Sequence, residues 1–206
     1  MSMDHIYLFP VSNAILFKKV SLPFHVFEDR YREMIYDAID RQIPVGVISF
    51  DPYDYYTGKI CVAGIPHILS TYPDGKLDIY ITGQTKYRLG NLVEEDPYKV
   101  FEAKELFEDM DVVDDQLEFE IDILKNLLKR WALHFLPDPL QRESFALSLE
   151  DVELLVNFCA VFLVDEVKLR REVMEASSLQ QKVKILIYAI GPKEISLGPF
   201  MPTLRF

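Results

Sequence analysis

The stretch LFPVSNAILFKKVSLPFHVFEDRYREM, residues 8–34, decides the fold. Its apolar segments are short and are separated by turn-forming residues, a pattern typical of strands joined by turns. It predicts three strands, over residues 5–9, 14–17 and 20–24. Pro10 should end the first, because proline has no N–H to give to a neighbouring strand. Pro23 places the third at an edge or a bulge.

From Glu28 onward the apolar spacing becomes helical. Residues recur at steps of three and four, which marks one face of a helix. The members of this face are Tyr31, Met34, Ile35, Ala38 and Ile39. Because Pro44 bars continuation, the helix should end by about Arg41.

The rest of the first half predicts short strands with turns between them. The predicted strands cover residues 45–50, 59–71, 77–82, 87–93 and 98–107. The third shows clear alternation of apolar and polar residues, and Pro73-Asp74-Gly75 before it is a strong turn signal. Strands at this spacing with one helix predict a small mixed barrel to about residue 107.

The second half is predicted to be helical. Residues 108–122 are rich in acidic side chains and hold no basic one, so they form an acidic connection into the first helix. Apolar residues then step along one seam from Leu117 to Phe135, before Pro137 and Pro139. We predict about four helices within residues 113–192, the second starting from a capping pair of Ser148 and Asp151. Residues 193–206 form a tail with exposed apolar residues, through which a homodimer could form. The fold class is therefore α+β.

Composition and charge narrow the possible partners. The chain has 206 residues, 33 of them acidic and 22 basic, for a net charge of −11. Phosphate backbones and anionic membranes need clustered Lys and Arg, and no such cluster is present. We therefore expect neither nucleic acid nor a membrane as partner.

Other features favour a cytoplasmic protein. Cys61 and Cys159 stand far apart in apolar contexts, which is typical of reduced, buried thiols. No secretory signal is visible, and the longest apolar run falls short of the roughly 20 residues that span a bilayer.

The order of motifs resembles the N-terminal substrate-binding domain of the Lon protease family. The motifs are LFP (8–10), LF (16–17), LPFHVFEDRYREMI (22–35), PDGKLDIYITGQTKYRL (73–89), DPYKVFEAKEL (96–106) and DEVKLRREVMEASSLQQKVKILIYAI (165–190). One departure is Lys18-Lys19, where the family usually has Pro-Gly. It concerns the local turn geometry and not the fold.

The resemblance implies a PUA-like β lobe followed by a helical bundle, and a protein that binds unfolded or degron-bearing polypeptide, or a protein partner. Full-length members continue into an ATPase and a Ser-Lys peptidase. No GxxxxGK[ST] motif is present here, so we expect a stand-alone, non-catalytic binding domain that needs no cofactor.

Aromatic residues supply the candidate polypeptide-binding positions: Phe24, Phe27, Tyr53, Tyr55 and Tyr56. The three tyrosines lie on a turn segment after a core strand, and loops on rigid scaffolds often carry binding residues. The alternative is that the rings pack onto the barrel. The two phenylalanines could floor an apolar groove or belong to the core.

Two rival functions stay open. PUA-like folds bind RNA in other families, although the charge argues against it here. A small-molecule sensor or cryptic enzyme would need a polar pocket with a perturbed ionisable group. The histidines, His5, His25, His67 and His134, lack metal-ligand spacing, so no metal site is expected. No GxSxG motif supports a hydrolase.

Overall fold

The computed structural model describes residues 4–53, 55–109 and 114–190. The chain divides into two compact units, with the boundary between Phe107 and Glu108. The predicted tail at residues 193–206, and with it the predicted tail-mediated homodimer, lies outside the described residues.

Within the described residues, the first unit has eight strands and one helix. The elements are β1 (Asp4–Val11), β2 (Ser21–Val26), α1 (Asp29–Arg41), β3 (Val45–Ser49), β4 (Ile60–Gly64), β5 (Pro66–Thr71), β6 (Leu77–Thr82), β7 (Thr85–Glu94) and β8 (Val100–Glu105). Five strands close into a barrel in the order β1-β3-β4-β7-β8, and three form a second sheet in the order β2-β6-β5. The predicted small mixed barrel with one helix is confirmed.

Strand β1 closes the barrel by pairing parallel with β3 and antiparallel with β8. Pro10 does not end it, contrary to prediction, because Pro10 is paired with Ile48 of β3. The Leu8 N–H points to the β8 side, where it donates to Lys99. Alternation along a strand turns the Pro10 nitrogen to the same side. Pairing with β8 has stopped by then, at Tyr7, so the missing N–H removes no bond from the sheet.

The segment predicted as one long strand over residues 59–71 is two strands in different sheets. Strand β4 belongs to the barrel, whereas β5 pairs with β6 in the second sheet. At the crossing, a Cβ on Gly64 would lie 2.0 Å from the Thr82 carbonyl oxygen, so only glycine fits. The predicted edge position of Pro23 is confirmed, because β2 is the last strand of its sheet.

Residues 14–17 are buried but do not form the predicted strand. They fill the interior with exposed fractions of at most 6% and lead into an irregular turn. In this turn Lys19 adopts a positive φ of 63°, and its N–H donates to Gly83. Lys19 stands where the resemblance expects glycine, so this chain keeps the turn's left-handed backbone with a lysine.

Helix α1 has its predicted bounds and ends at Gln42, which adopts a left-handed conformation with φ of 56°. Of the five residues predicted for its inward face, Met34, Ile35 and Ala38 are buried, whereas Tyr31 and Ile39 are half-buried. Asp37 also ties α1 to the rest of the unit, because the buried Tyr98 donates a hydrogen bond from its hydroxyl to the Asp37 carboxylate.

Within the described residues, the second unit has five helices, one more than expected. They are α2 (Asp115–Phe135), α3 (Pro139–Ser148), α4 (Val152–Leu163), α5 (Val167–Glu175) and α6 (Leu179–Ile190). The added helix is α3. Proline is favoured at the first position of a helix, and Asp138 caps α3 by accepting from the Leu140 N–H, so Pro139 begins a helix. Asp151 alone caps α4, and Ser148 donates instead to Phe145.

Among its described residues, the second unit has an aliphatic core and a buried ion pair. The predicted seam of α2 is buried as far as Leu128, after which Ala132 replaces Trp131 on the buried side. Lys182 of α6 is 3% exposed and pairs with Glu108 at 2.6 Å. Helix α2 is also the longest helix here, and no described helix has the length and apolar character needed to span a membrane.

Candidate functional site

The loop between β3 and β4 carries three exposed aromatic residues of the first unit, and its described residues, 50–53 and 55–59, are here called the aromatic loop. Phe50 is 61% exposed, Tyr53 is 89% exposed and Tyr55 is 64% exposed. Large apolar rings at such exposure, grouped on one short loop, are typical of a contact surface. The sequence predicts the two tyrosines as binding residues but does not predict Phe50.

Tyr56 anchors the aromatic loop to the barrel. Its side chain is 1% exposed and belongs to the barrel core, where its ring packs edge-on against Phe101 with 6.3 Å between the ring centroids. Its hydroxyl accepts the Asp51 backbone N–H at 3.2 Å. The residue was predicted as a binding candidate, but in this conformation a ligand cannot reach its ring.

Asp51 and Lys59 tie together the two ends of the aromatic loop. The Asp51 carboxylate accepts the Tyr53 N–H at 2.8 Å and forms an ion pair with the Lys59 ammonium. That ammonium also lies 5.3 Å from the centre of the Tyr56 ring. Gly58, with φ of 82°, makes the turn into β4 and donates its N–H to Leu89. The exposed rings therefore stand on a hydrogen-bonded loop.

Strand β7 borders the aromatic loop at Leu89. Pairing of β4 with β7 stops at Ile60 and Arg88, and Lys59 and Gly58 then bond to Leu89. Among the described residues, β7 runs on to Glu94 with β8 as its paired strand. Leu92 is 42% exposed and Val93 is 53% exposed, so this strand edge adds apolar surface.

The two predicted phenylalanines occupy different environments. Phe24 on β2 is 6% exposed and packs edge-on against Phe9 at 5.5 Å, so it is a core residue. Phe27 follows β2 and is 55% exposed. Phe27 therefore lies next to a strand of the three-stranded sheet, whereas the aromatic loop connects two strands of the barrel.

A polar cluster lies on the outer face of the three-stranded sheet. His25 Nδ1 lies 2.7 Å from the Asp78 carboxylate, which also accepts the Tyr72 hydroxyl proton. The hydrogen bonds from Tyr72 and then from His25 lower the pKa of Asp78, and the same carboxylate raises the pKa of Tyr72. The cluster holds an ionised acid and an imidazole, but no Ser, Thr or Cys hydroxyl or thiol is bonded to that imidazole among the described residues.

Sites for metal or thiol chemistry find no support in the described ranges. There, no three His, Cys, Asp or Glu side chains come together as metal ligands. Burial raises the pKa of the Cys61 thiol to about 12 and also raises that of Cys159, so both thiols stay protonated.

The chain matches one family along most of its length. A model of the ATP-dependent protease La (LON) substrate-binding domain matches residues 5–190. The chain belongs to the Lon substrate-binding domain family. The resemblance seen in the sequence is thereby confirmed, and the matched Lon domain accounts for both units described above.

Similar proteins agree with this assignment. The Lon protease of Flavobacterium johnsoniae is 25% identical over 186 residues, covering 85% of this chain and 22% of that protein. The Lon protease of Parabacteroides distasonis is 30% identical over 103 residues, covering 46% of this chain and 12% of that protein. This chain thus spans about a fifth, or less, of the length of these curated relatives.

Solved Lon N-terminal domains share the fold. The N-terminal domain of the Mycobacterium avium complex Lon protease superposes with a TM-score of 0.71 at 13% identity, covering 92% of this chain and 100% of that one. A Lon N-terminal domain protein from Xanthomonas campestris gives 0.65 at 15% identity, covering 91% and 99%.

Proposed function

We propose that this chain binds extended, partly apolar segments of other polypeptides at the aromatic loop, and performs no chemistry on them. The observation that carries the proposal is the arrangement of Phe50, Tyr53 and Tyr55. Their exposed rings stand on a loop that Tyr56 and Asp51 hold in place. Membership of a substrate-binding family supports a binding role of this kind.

Preorganisation of the loop favours affinity. Tyrosine offers a large contact area and loses few rotamers on binding, and a loop already held by hydrogen bonds adds little ordering cost. The bound segment itself must still be ordered, so we expect weak to moderate affinity, in the micromolar range of about −8 kcal/mol.

The β7 edge supplies a second type of contact. An extended segment that lies along this edge can bond to backbone groups and place its side chains against Leu92 and Val93. The neighbouring β7–β8 turn carries Glu94, Glu95 and Asp96, all exposed. We therefore expect preferred segments to combine aromatic or aliphatic residues with a nearby Lys or Arg. The same acidic rim disfavours RNA.

We place the protein, with this proposed function, in the cytoplasm. Cys61 and Cys159 are free and buried, which suits a reducing compartment.

Fluorescence anisotropy of labelled peptides tests the proposal. A panel of extended peptides, with and without aromatic and basic residues, is titrated with the protein. The double variant Tyr53→Ser/Tyr55→Ser should raise Kd roughly 30-fold or more, since a buried interface tyrosine contributes about 1–2 kcal/mol. The matched control is Tyr188→Ser on α6, because Tyr188 is 82% exposed in the other unit.

The affinities of the wild type and the two variants support or overturn the proposed binding site. Loss of binding in the double variant, with wild-type affinity in Tyr188→Ser, supports the proposal. Equal affinities in all three proteins, or no peptide bound at high micromolar protein, would overturn it. Circular dichroism and melting curves confirm that the variants remain folded.

A further inference from the structure

Helix α2 presents a second apolar face that the core of its own unit does not use. Leu117, Leu124 and Leu128 face inward and are at most 1% exposed. On the opposite side Phe119 is 66% exposed, Ile123 is 37% exposed and Leu133 is 68% exposed. Together with Asn126 and Arg130, both exposed, these residues form a single stripe at steps of three and four, here called the α2 stripe.

Charge along α2 is strongly polarised. Asp115, Glu118, Glu120 and Asp122 occupy the first half, and Lys125, Lys129, Arg130 and His134 occupy the second half. The segregation follows the helix dipole, which favours acids at the start and bases at the end. It also means that the stripe has an acidic end and a basic end. A surface of this kind complements itself when a second copy lies antiparallel to it.

We propose that the α2 stripe is the interface of an antiparallel homodimer, with α2 of one copy packed on α2 of another. A two-fold axis through Asn126 pairs positions whose numbers add to 252. Phe119 of each copy then faces Leu133 of the other. Asp122 faces Arg130, and Glu118 faces His134 of the other copy.

The register has two independent supports. Among the described residues, Asp122 and Arg130 have no ion pair or side-chain hydrogen bond within the chain, so both are available to a second copy. Asn126 occupies the axis, and a polar asparagine within an apolar helix seam is a known means of fixing register and orientation. Phe119 and Leu133 give apolar contact on both sides of the axis, because two-fold symmetry repeats every contact.

The interface is small. Three apolar side chains from each copy bury less than the roughly 1,200 Å² that marks a stable specific interface. The dimer should therefore form only at high concentration, in the range of tens to hundreds of micromolar, and should weaken as salt rises because its ion pairs are exposed.

Charge reversal in sedimentation velocity tests the ion pairs. Wild-type protein from 10 µM to 1 mM should shift towards the dimer, as estimated from the small interface. The single variants Asp122→Arg and Arg130→Asp should each reduce association at least tenfold, because each places like charges together. The double variant D122R/R130D should restore association, since it exchanges the partners. Arg171→Asp, at an exposed position on α5, is the charge control and should behave as wild type.

Disulfide crosslinking tests the axis. In the variant Asn126→Cys the two new thiols face each other, so oxidation of the concentrated protein should give a covalent dimer. Arg171→Cys should give much less, and the buried Cys61 and Cys159 should not react. A monomer up to 1 mM, association that ignores both single reversals, failure of the double variant to rescue, or equal crosslinking of the two thiol variants would each overturn the proposal.

Discussion

Tyr56→Ala is the perturbation that best separates the anchor of the aromatic loop from its exposed rings. Tyr56 is 1% exposed and lies among the buried residues of the barrel core. Truncating a buried aromatic residue to alanine costs about 3–5 kcal/mol, through lost burial and the cavity left behind. The same change at Tyr53, which is 89% exposed, should stay within about 0.5 kcal/mol.

Hydrogen exchange read by mass spectrometry measures this difference within the first unit. Amides of the barrel strands that exchange through unfolding of the unit should exchange roughly 140- to 4,000-fold faster in Tyr56→Ala, at one factor of ten for each 1.4 kcal/mol. In Tyr53→Ala the exchange rates of the same amides should change by no more than about twofold. Fluorescence of Trp131, the single tryptophan, checks that the helical unit remains folded.

Tyr53→Ala should affect peptide binding more than stability, in contrast to the large stability loss expected for Tyr56→Ala. Tyr53→Ala removes a contact ring and leaves the barrel intact, so peptide affinity falls while stability is kept. Wild-type protection in Tyr56→Ala would show that the loop does not rest on the core. A large loss of protection in Tyr53→Ala would show that its ring is buried. Either result would refute the division between anchor and contact residues.

Two further predictions concern buried groups. Tyr98→Phe removes the hydroxyl that donates to Asp37, so the first unit should lose about 1–2 kcal/mol in urea unfolding, and a loss below 0.3 kcal/mol would contradict this account. Because the raised pKa of about 12 at Cys61 and burial at Cys159 suppress the thiolate, iodoacetamide at pH 8 should label neither thiol until urea unfolds the protein. Rapid labelling of the native protein would disprove that prediction.

Sequence periodicity predicted the helices and strands that bury a single face. The inward face of α1 and the first four positions of the α2 seam follow from steps of three and four, and β6 follows from strict alternation. In each case the pattern spans at least six residues. The core then needs only one face of the element, so local spacing suffices.

The predictions that failed depend on partners distant in the sequence. Residues 59–71 are apolar enough for one strand, but the close approach of Gly64 to Thr82 forces the chain to change sheets. Pro137 and Pro139 both suggest a helix end after Phe135, but the Asp138 cap makes Pro139 the first residue of a helix. Asp138 before Pro139 was a signal that the sequence did contain.

The residues of the candidate site also divide into those that the sequence could predict and those that depend on distant partners. Composition found Tyr53, Tyr55 and Tyr56 together, but spacing could not show which ring enters the barrel. Phe50 was missed because it ends a predicted strand, although its position directly before Asp51 already joined it to the loop. The pairing of His25 with Asp78 could not have been found, since it depends on the register between β2 and β6.

The aromatic loop and the α2 stripe share no residue and belong to different units, so the two proposals can fail separately. If both hold, each dimer carries two aromatic loops. A polypeptide with two apolar segments would then bind more tightly than its segments do singly, because the second contact forms at the effective concentration set by the first. A charge reversal at Asp122 or Arg130 would remove this gain and leave the affinity for a single segment unchanged. Weak peptide contacts and a weak dimer can therefore combine into effective capture of long unfolded chains, which present many such segments.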